Sequence, residues 1–147
     1  MPGKRISKET QYAIRAIFDL AGRGKDAIVS SSEVARNQHV PQRFLESILV
    51  RLRDDGLVES RRGAAGGYRL AVKPKNVTVG RVIRLFEGDL APIDCRACGG
   101  QEHCDLEADC AFAPMWLRTR QIVAYLYDTT TFADLLEGDL PDPFGQA

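Results

Sequence analysis

The sequence predicts a mainly α-helical fold, a winged helix-turn-helix with a two-stranded wing followed by a long C-terminal dimerisation helix. Three observations predict it. Amphipathic segments with apolar residues at helical spacing precede residue 56, and two short β-like runs then enclose a loop of glycine and alanine at 63–67. Further on, a longer apolar-faced segment has too little chain after it to cover that face.

The first helix is expected over 7–21, where Ile6, Ala13, Ile14, Ile17, Phe18 and Ala21 recur at helical spacing, Ser7 can cap the start and Gly22 the end. Ser30 with Glu33 has the form of a capping box and opens a short helix to about residue 37, Val34 and Ala35 facing inward. After the turn at His39 and Val40, Pro41 pre-sets a helix start. Phe44, Leu45, Ile48, Leu49 and Leu52 then form an apolar face ending at Gly56, which makes this the recognition helix. Runs at 57–61 and 68–72 form the hairpin. Thr78 caps a helix over 79–87 that stops at Gly88, carrying Val82, Ile83 and Phe86 inward. The longer helix is expected over 111–128, with Met115, Trp116, Ile122, Val123 and Leu126 on one side, and Thr131 with Asp134 opens a last short helix.

A chain of 147 residues is one domain, or a small domain with an extension that needs a partner to complete its core; the second suits the uncovered helix. No apolar run approaches the roughly 20 residues that cross a bilayer, so no membrane partner is expected. The N-terminus lacks a secretory pattern, so the expected compartment is the cytoplasm, where clustered cysteines favour metal or redox chemistry over disulfides. The net charge of zero conceals an asymmetry: residues 1–75 carry 15 Lys and Arg against 8 Asp and Glu, and residues 76–147 carry 5 against 12. The basic part, 1–75, reads as a DNA-binding domain and 76–147 as a cysteine-loop and dimerisation region. Catalysis finds no support, with no phosphate-binding glycine loop and two histidines in unrelated segments.

Exposed side chains near the start of a recognition helix reach base edges in the major groove. Here these are Gln42, Arg43 and Glu46, residue types suited to adenine, guanine and the cytosine amino group respectively. Ser31 and Ser32, with the helix-start amides around them, suit a phosphate. Arg61, Arg62 and Arg69 would approach phosphates or the minor groove, and Gly66 lets the wing backbone come close.

Cys95, Cys98, Cys104 and Cys110 lie within sixteen positions in a charged, glycine-containing stretch. Four thiolates can hold an iron–sulphur cluster, 2Fe–2S or 4Fe–4S. The two-residue gap between Cys95 and Cys98 also suits zinc, and metal-free thiol oxidation is a third reading.

Three stretches carry a family resemblance: "RISKETQYAIRAIFDLA", "FLESILVRLRDDGLVESRRGAAGGYRLA" and "CGGQEHCDLEADCAFAPMW". Over residues 5–140 the chain resembles the iron–sulphur winged-helix regulators of the IscR, NsrR and RirA type, the Rrf-two family. The resemblance implies a homodimeric transcription factor with the cluster near the dimer interface. It places Glu46 and Arg62 at DNA-contacting positions and Cys98, Cys104 and Cys110 on the cluster cysteines. Members with a histidine ligand place it where Ala113 stands, and others use a first-helix carboxylate where Gln11 stands. Cys95 is this chain's own candidate for the fourth ligand, ahead of Glu9, His103 and Asp105.

The expected function is a homodimeric regulator, a repressor, that binds double-stranded DNA at a roughly palindromic operator. Its cluster would sense iron, cluster status, redox state or nitric oxide. A cluster-free or zinc-stabilised regulator answering to a small sulphur metabolite is one alternative, and an iron–sulphur electron-transfer or carrier protein another.

Overall fold

The computed structural model describes residues 5–90, 94–96 and 100–145. Helix α1 (Lys8–Gly22) starts at Ser7, whose hydroxyl accepts the Thr10 amide at 3.2 Å. Its core face is Ala13, Ala16, Ile17 and Leu20, so Ile14 stays half-buried and Phe18, expected inward, lies at the exposed edge beside Leu136. Helix α2 (Ser31–Gln38) is capped by Ser30, but the expected capping box is only half made. The Glu33 carboxylate goes instead to Arg23, at 2.6 Å, and the same partner raises the guanidinium's already high pKa. Helix α3 (Gln42–Asp54) buries Leu45, Ile48, Leu49 and Leu52 completely against α1 and α2.

Strands β1 (Val58–Arg61) and β2 (Gly67–Leu70) form the antiparallel wing, with Val58 opposite Leu70 and Arg61 opposite Gly67. Val29 joins as a third, one-residue rung, exchanging backbone hydrogen bonds of 2.9 and 2.8 Å with Tyr68. Gly67 makes this approach possible: with φ +156° it lies so close to Val29 that a Cβ would collide with the Val29 carbonyl. A 3₁₀ turn (Pro74–Asn76) leads into α4 (Val79–Glu87), which keeps the expected bounds and is capped by Thr78 and Gly88.

Helix α5 (Ala113–Thr129) follows the cysteine segment, and α6 (Phe132–Glu137) turns back from it. Thr131 and Asp134 form the capping box the sequence predicts, and the backbone of Thr78 bridges that of Thr131. Phe132 is fully buried in the same core as Ile17, Leu49 and Val82, so the core runs across residue 75. By contrast, α5 buries no residue fully, and Met115, Ile122 and Tyr125 are 50%, 44% and 49% exposed. No helix among the described residues is long and apolar enough to cross a membrane. The arrangement is the mainly helical, winged helix-turn-helix fold the sequence predicts, with a long helix left open on one side.

Candidate nucleic-acid interface and thiol loop

The turn between α2 and α3 is set by His39, whose φ of +52° is the left-handed conformation a chain reversal needs. Val40, 4% exposed, pins the turn to the core, and its amide reaches the Ala35 carbonyl at 2.9 Å. Pro41 then occupies the cap of α3. Because the core claims one face of α3, Gln42, Arg43, Glu46, Ser47 and Val50 are left on solvent.

The structure brings these groups together with the wing in different states of readiness. The Gln42 amide donates to the Glu46 carboxylate at 3.2 Å, one helical turn away, and the Arg43 guanidinium stands 4.8 Å over the Phe44 ring. Arg61 and Arg62 are exposed and make no ion pair among the described residues. Arg69 differs: its Nε donates to Glu59 across the hairpin at 2.9 Å, so its charge is already paired. At the wing loop Gly63 takes φ +109°, and a Cβ on Gly66 would collide with the Arg61 carbonyl. Ser31 and Ser32 form the first turn of α2; Ser32 Oγ lies 3.1 Å from the capping Ser30 Oγ, and Ser31 is half-buried. Ser47 and Val50 follow Arg43 by four and seven residues and extend the same exposed face, as the helical spacing requires.

Arg51 locks α3 in place. It pairs with Glu9 of α1 at 3.0 Å, donates to the Leu85 carbonyl of α4 at 2.9 Å, and lies 4.1 Å over the Phe86 ring. Next to it the Glu87 carboxylate accepts the Ser7 amide at 2.8 Å and the Thr10 hydroxyl. Two further ion pairs tie α5 to α4 and to the residue just past its Gly88 cap. Arg84 forms a bidentate pair with Asp128, which raises the arginine pKa further, and Arg120 holds Asp89 at 2.8 Å.

In the cysteine segment the Gly100 amide donates to the Cys95 carbonyl at 2.7 Å and the Gln101 amide to Asp94 at 2.6 Å. A Cβ on Gly100 would collide with the backbone of Asp94 and Cys95. Cys95, Cys104 and Cys110 are free thiols, each half-buried; Cys98 lies outside the described residues. Two of the weaker ligand candidates are already engaged, Glu9 by Arg51 and His103 by Glu107 at 2.9 Å. Among the described residues no three His, Cys, Asp or Glu side chains are grouped to hold a metal ion. The donor chemistry, soft thiols on a turn-rich loop, nevertheless suits an iron–sulphur cluster better than a carboxylate-bound cation.

A helix-turn-helix with a basic hairpin beside its second helix defines a winged-helix DNA-binding protein. Residues 6–138 match the Rrf2 family, described as iron-dependent transcriptional regulators, and the chain belongs to that family. An Rrf2-like HTH-type transcriptional regulator of Rhodobacter capsulatus is 32% identical over 142 residues, spanning 92% of this chain and 95% of the relative. The structure of CymR, the global cysteine regulator of Bacillus subtilis, superposes with a TM-score of 0.77 at 31% identity, covering 92% of this chain and 98% of that one. IscR of T. potens superposes with a TM-score of 0.73 at 29% identity, covering 98% of this chain and 93% of the other. The protein is a DNA-binding transcription regulator, not an enzyme.

Proposed function

We propose that the protein is a homodimeric cytoplasmic regulator whose binding to double-stranded DNA is governed by an iron–sulphur cluster. The observation that carries the cluster is the thiol set: four cysteines within sixteen positions, of which the three described are unbonded and half-buried on the loop leading into α5. Cys98, Cys104 and Cys110 would hold the cluster, with Cys95 as the fourth ligand, and the family description as iron-dependent regulators supports the assignment. Bound there, a 2Fe–2S or 4Fe–4S cluster supplies a centre that reacts to iron supply, oxidants or nitric oxide. The loop joins the end of α4, which Arg51 fastens to α3, so a change of the loop has a short path to the DNA-facing helix.

On the DNA side Gln42, Arg43 and Glu46 read base edges, Ser31 and Ser32 receive a phosphate, and Arg61 and Arg62 of the wing reach the backbone beside them. Gly66 lets the wing come close. Arg69, paired with Glu59 across the hairpin, would approach the backbone with Arg61 and Arg62. The apolar face of α5 meets the same face of a second copy, and the two-fold symmetry implies a roughly palindromic operator with half-sites about 34 Å apart or a multiple of that.

Arg62→Ala is expected to weaken operator binding by roughly tenfold and to lower its salt dependence, with the fold intact; unchanged affinity in a titration at two salt concentrations would contradict the wing assignment. Replacing Cys98, Cys104 and Cys110 by alanine should remove iron and sulphide from the anaerobically purified protein and abolish the difference in DNA affinity between its reconstituted and metal-free forms.

The likeness to the CymR structures favours a second reading, regulation by a small sulphur metabolite without a cluster. Regulation that survives the triple replacement would establish that reading and remove the first.

A further inference from the structure

Between the C-terminal end of α1 and the segment after β2 lies a cavity of about 320 Å³ that neither the DNA face nor the thiol loop uses. Leu20, Ala21 and Leu70 of the hydrophobic core lie at its floor. Val72 adds a further apolar side, and Lys25 and Lys73 stand around it. Both lysines are exposed and make no ion pair among the described residues. Among the described residues no carboxylate lines the cavity. Two other hollows carry both signs of charge, Glu59 with Arg61 and Arg69 at the wing and Asp19 with Arg23 beside α2.

We propose that this cavity is an effector site for a small amphipathic monocarboxylate, its hydrocarbon part against Leu20, Leu70 and Val72 and its carboxylate between Lys25 and Lys73. An apolar lining with only cationic charged groups around it selects an anion attached to hydrocarbon; inorganic phosphate would leave the apolar lining in water. The volume falls within the range of small-molecule pockets, roughly 300–1,000 Å³. Position gives the site a consequence. The Ala71 amide donates to the Leu57 carbonyl at 2.8 Å at the base of the wing, so an occupant pressing on residues 70–73 acts where the hairpin is anchored. The proposal does not depend on the cluster.

The experiment is a calorimetric titration of the full-length protein with hexanoate and with benzoate, with 1-hexanol and inorganic phosphate as controls. Saturable binding of at least one carboxylate is expected, with both controls at least about tenfold weaker because each lacks one half of the recognised chemistry. Lys25→Glu/Lys73→Glu should lower that affinity by about tenfold or more, and Val72→Trp should block it by filling the cavity while circular dichroism shows both variants folded. Absence of saturable binding by both carboxylates overturns the proposal, and so does binding that both variants leave unchanged. Binding of phosphate equal to that of the carboxylates would assign the lysines to a plain anion site and equally overturn it.

Discussion

The helices around the wing and helix α5 solve the same problem, what to do with an apolar face, in opposite ways. Each of α1, α2, α3, α4 and α6 buries at least one residue completely inside this chain, and the six-residue α6 delivers the fully buried Phe132. The seventeen-residue α5 buries none, although Met115, Ile122 and Tyr125 are large and apolar or aromatic. Length therefore does not measure how much a helix contributes to this core. A short helix returning to the core outweighs a long one that skirts it, and the open face of the long one is the surface we propose a second copy covers.

The contrast can be broken most sharply at Phe132. Phe132→Ala should cost about 3–5 kcal/mol of unfolding free energy, because a fully buried aromatic ring leaves a cavity; chemical denaturation measures it, and a loss under about 1 kcal/mol would show that α6 is an appendage. Next in size, Ile122→Ser on α5 should shift the monomer–dimer equilibrium by roughly tenfold or more toward monomer while leaving the far-ultraviolet spectrum unchanged. Sedimentation velocity over a concentration series reads the shift, and an unaltered association constant would move the interface off this face.

A smaller effect sharpens the α6 side. Thr131→Ala removes the cap and should cost about 1 kcal/mol. Its partner Asp134 has its pKa held below the ordinary carboxylate range, chiefly by the Thr131 hydroxyl and then by the Thr131 amide. A depressed folded pKa contributes stability that is complete above the unfolded value and disappears as pH falls through the folded one. The difference between wild type and Thr131→Ala should therefore narrow on acidification below about pH 4. A difference that stays constant down to about pH 2 would show that Asp134 takes no part in the cap.

The same contrast explains what the sequence disclosed. Helix α4 keeps its predicted bounds because Thr78 and Gly88 mark both ends, and α3 declares its core face through four leucines and isoleucines at regular spacing. The wing strands are legible from their turn residues, but Val29 as a third rung is not, since a single bridging residue has no periodicity. His39 hides a left-handed turn that glycine would have announced. Phe18 is expected inward because its spacing fits; Ala13 and Ala16 let α1 pack closely along a neighbouring stripe, and Phe18 falls at its margin. Among the candidate site residues, the exposed face of α3 and the exposed Arg61 and Arg62 follow from pattern and charge. The pairing of Arg69 with Glu59 and the three attachments of Arg51 depend on tertiary geometry that no local pattern encodes.

We propose that α5 and the thiol loop are completed by a second copy and a cluster. Native mass spectrometry of anaerobically purified protein tests both at once. The expected species has twice the 16.3 kDa chain mass plus the mass of iron and sulphide in equal numbers, the iron and sulphide lost together when Cys98, Cys104 and Cys110 are replaced. A species at the single-chain mass, or a dimer carrying zinc or no metal after reconstitution with iron and sulphide, would contradict it.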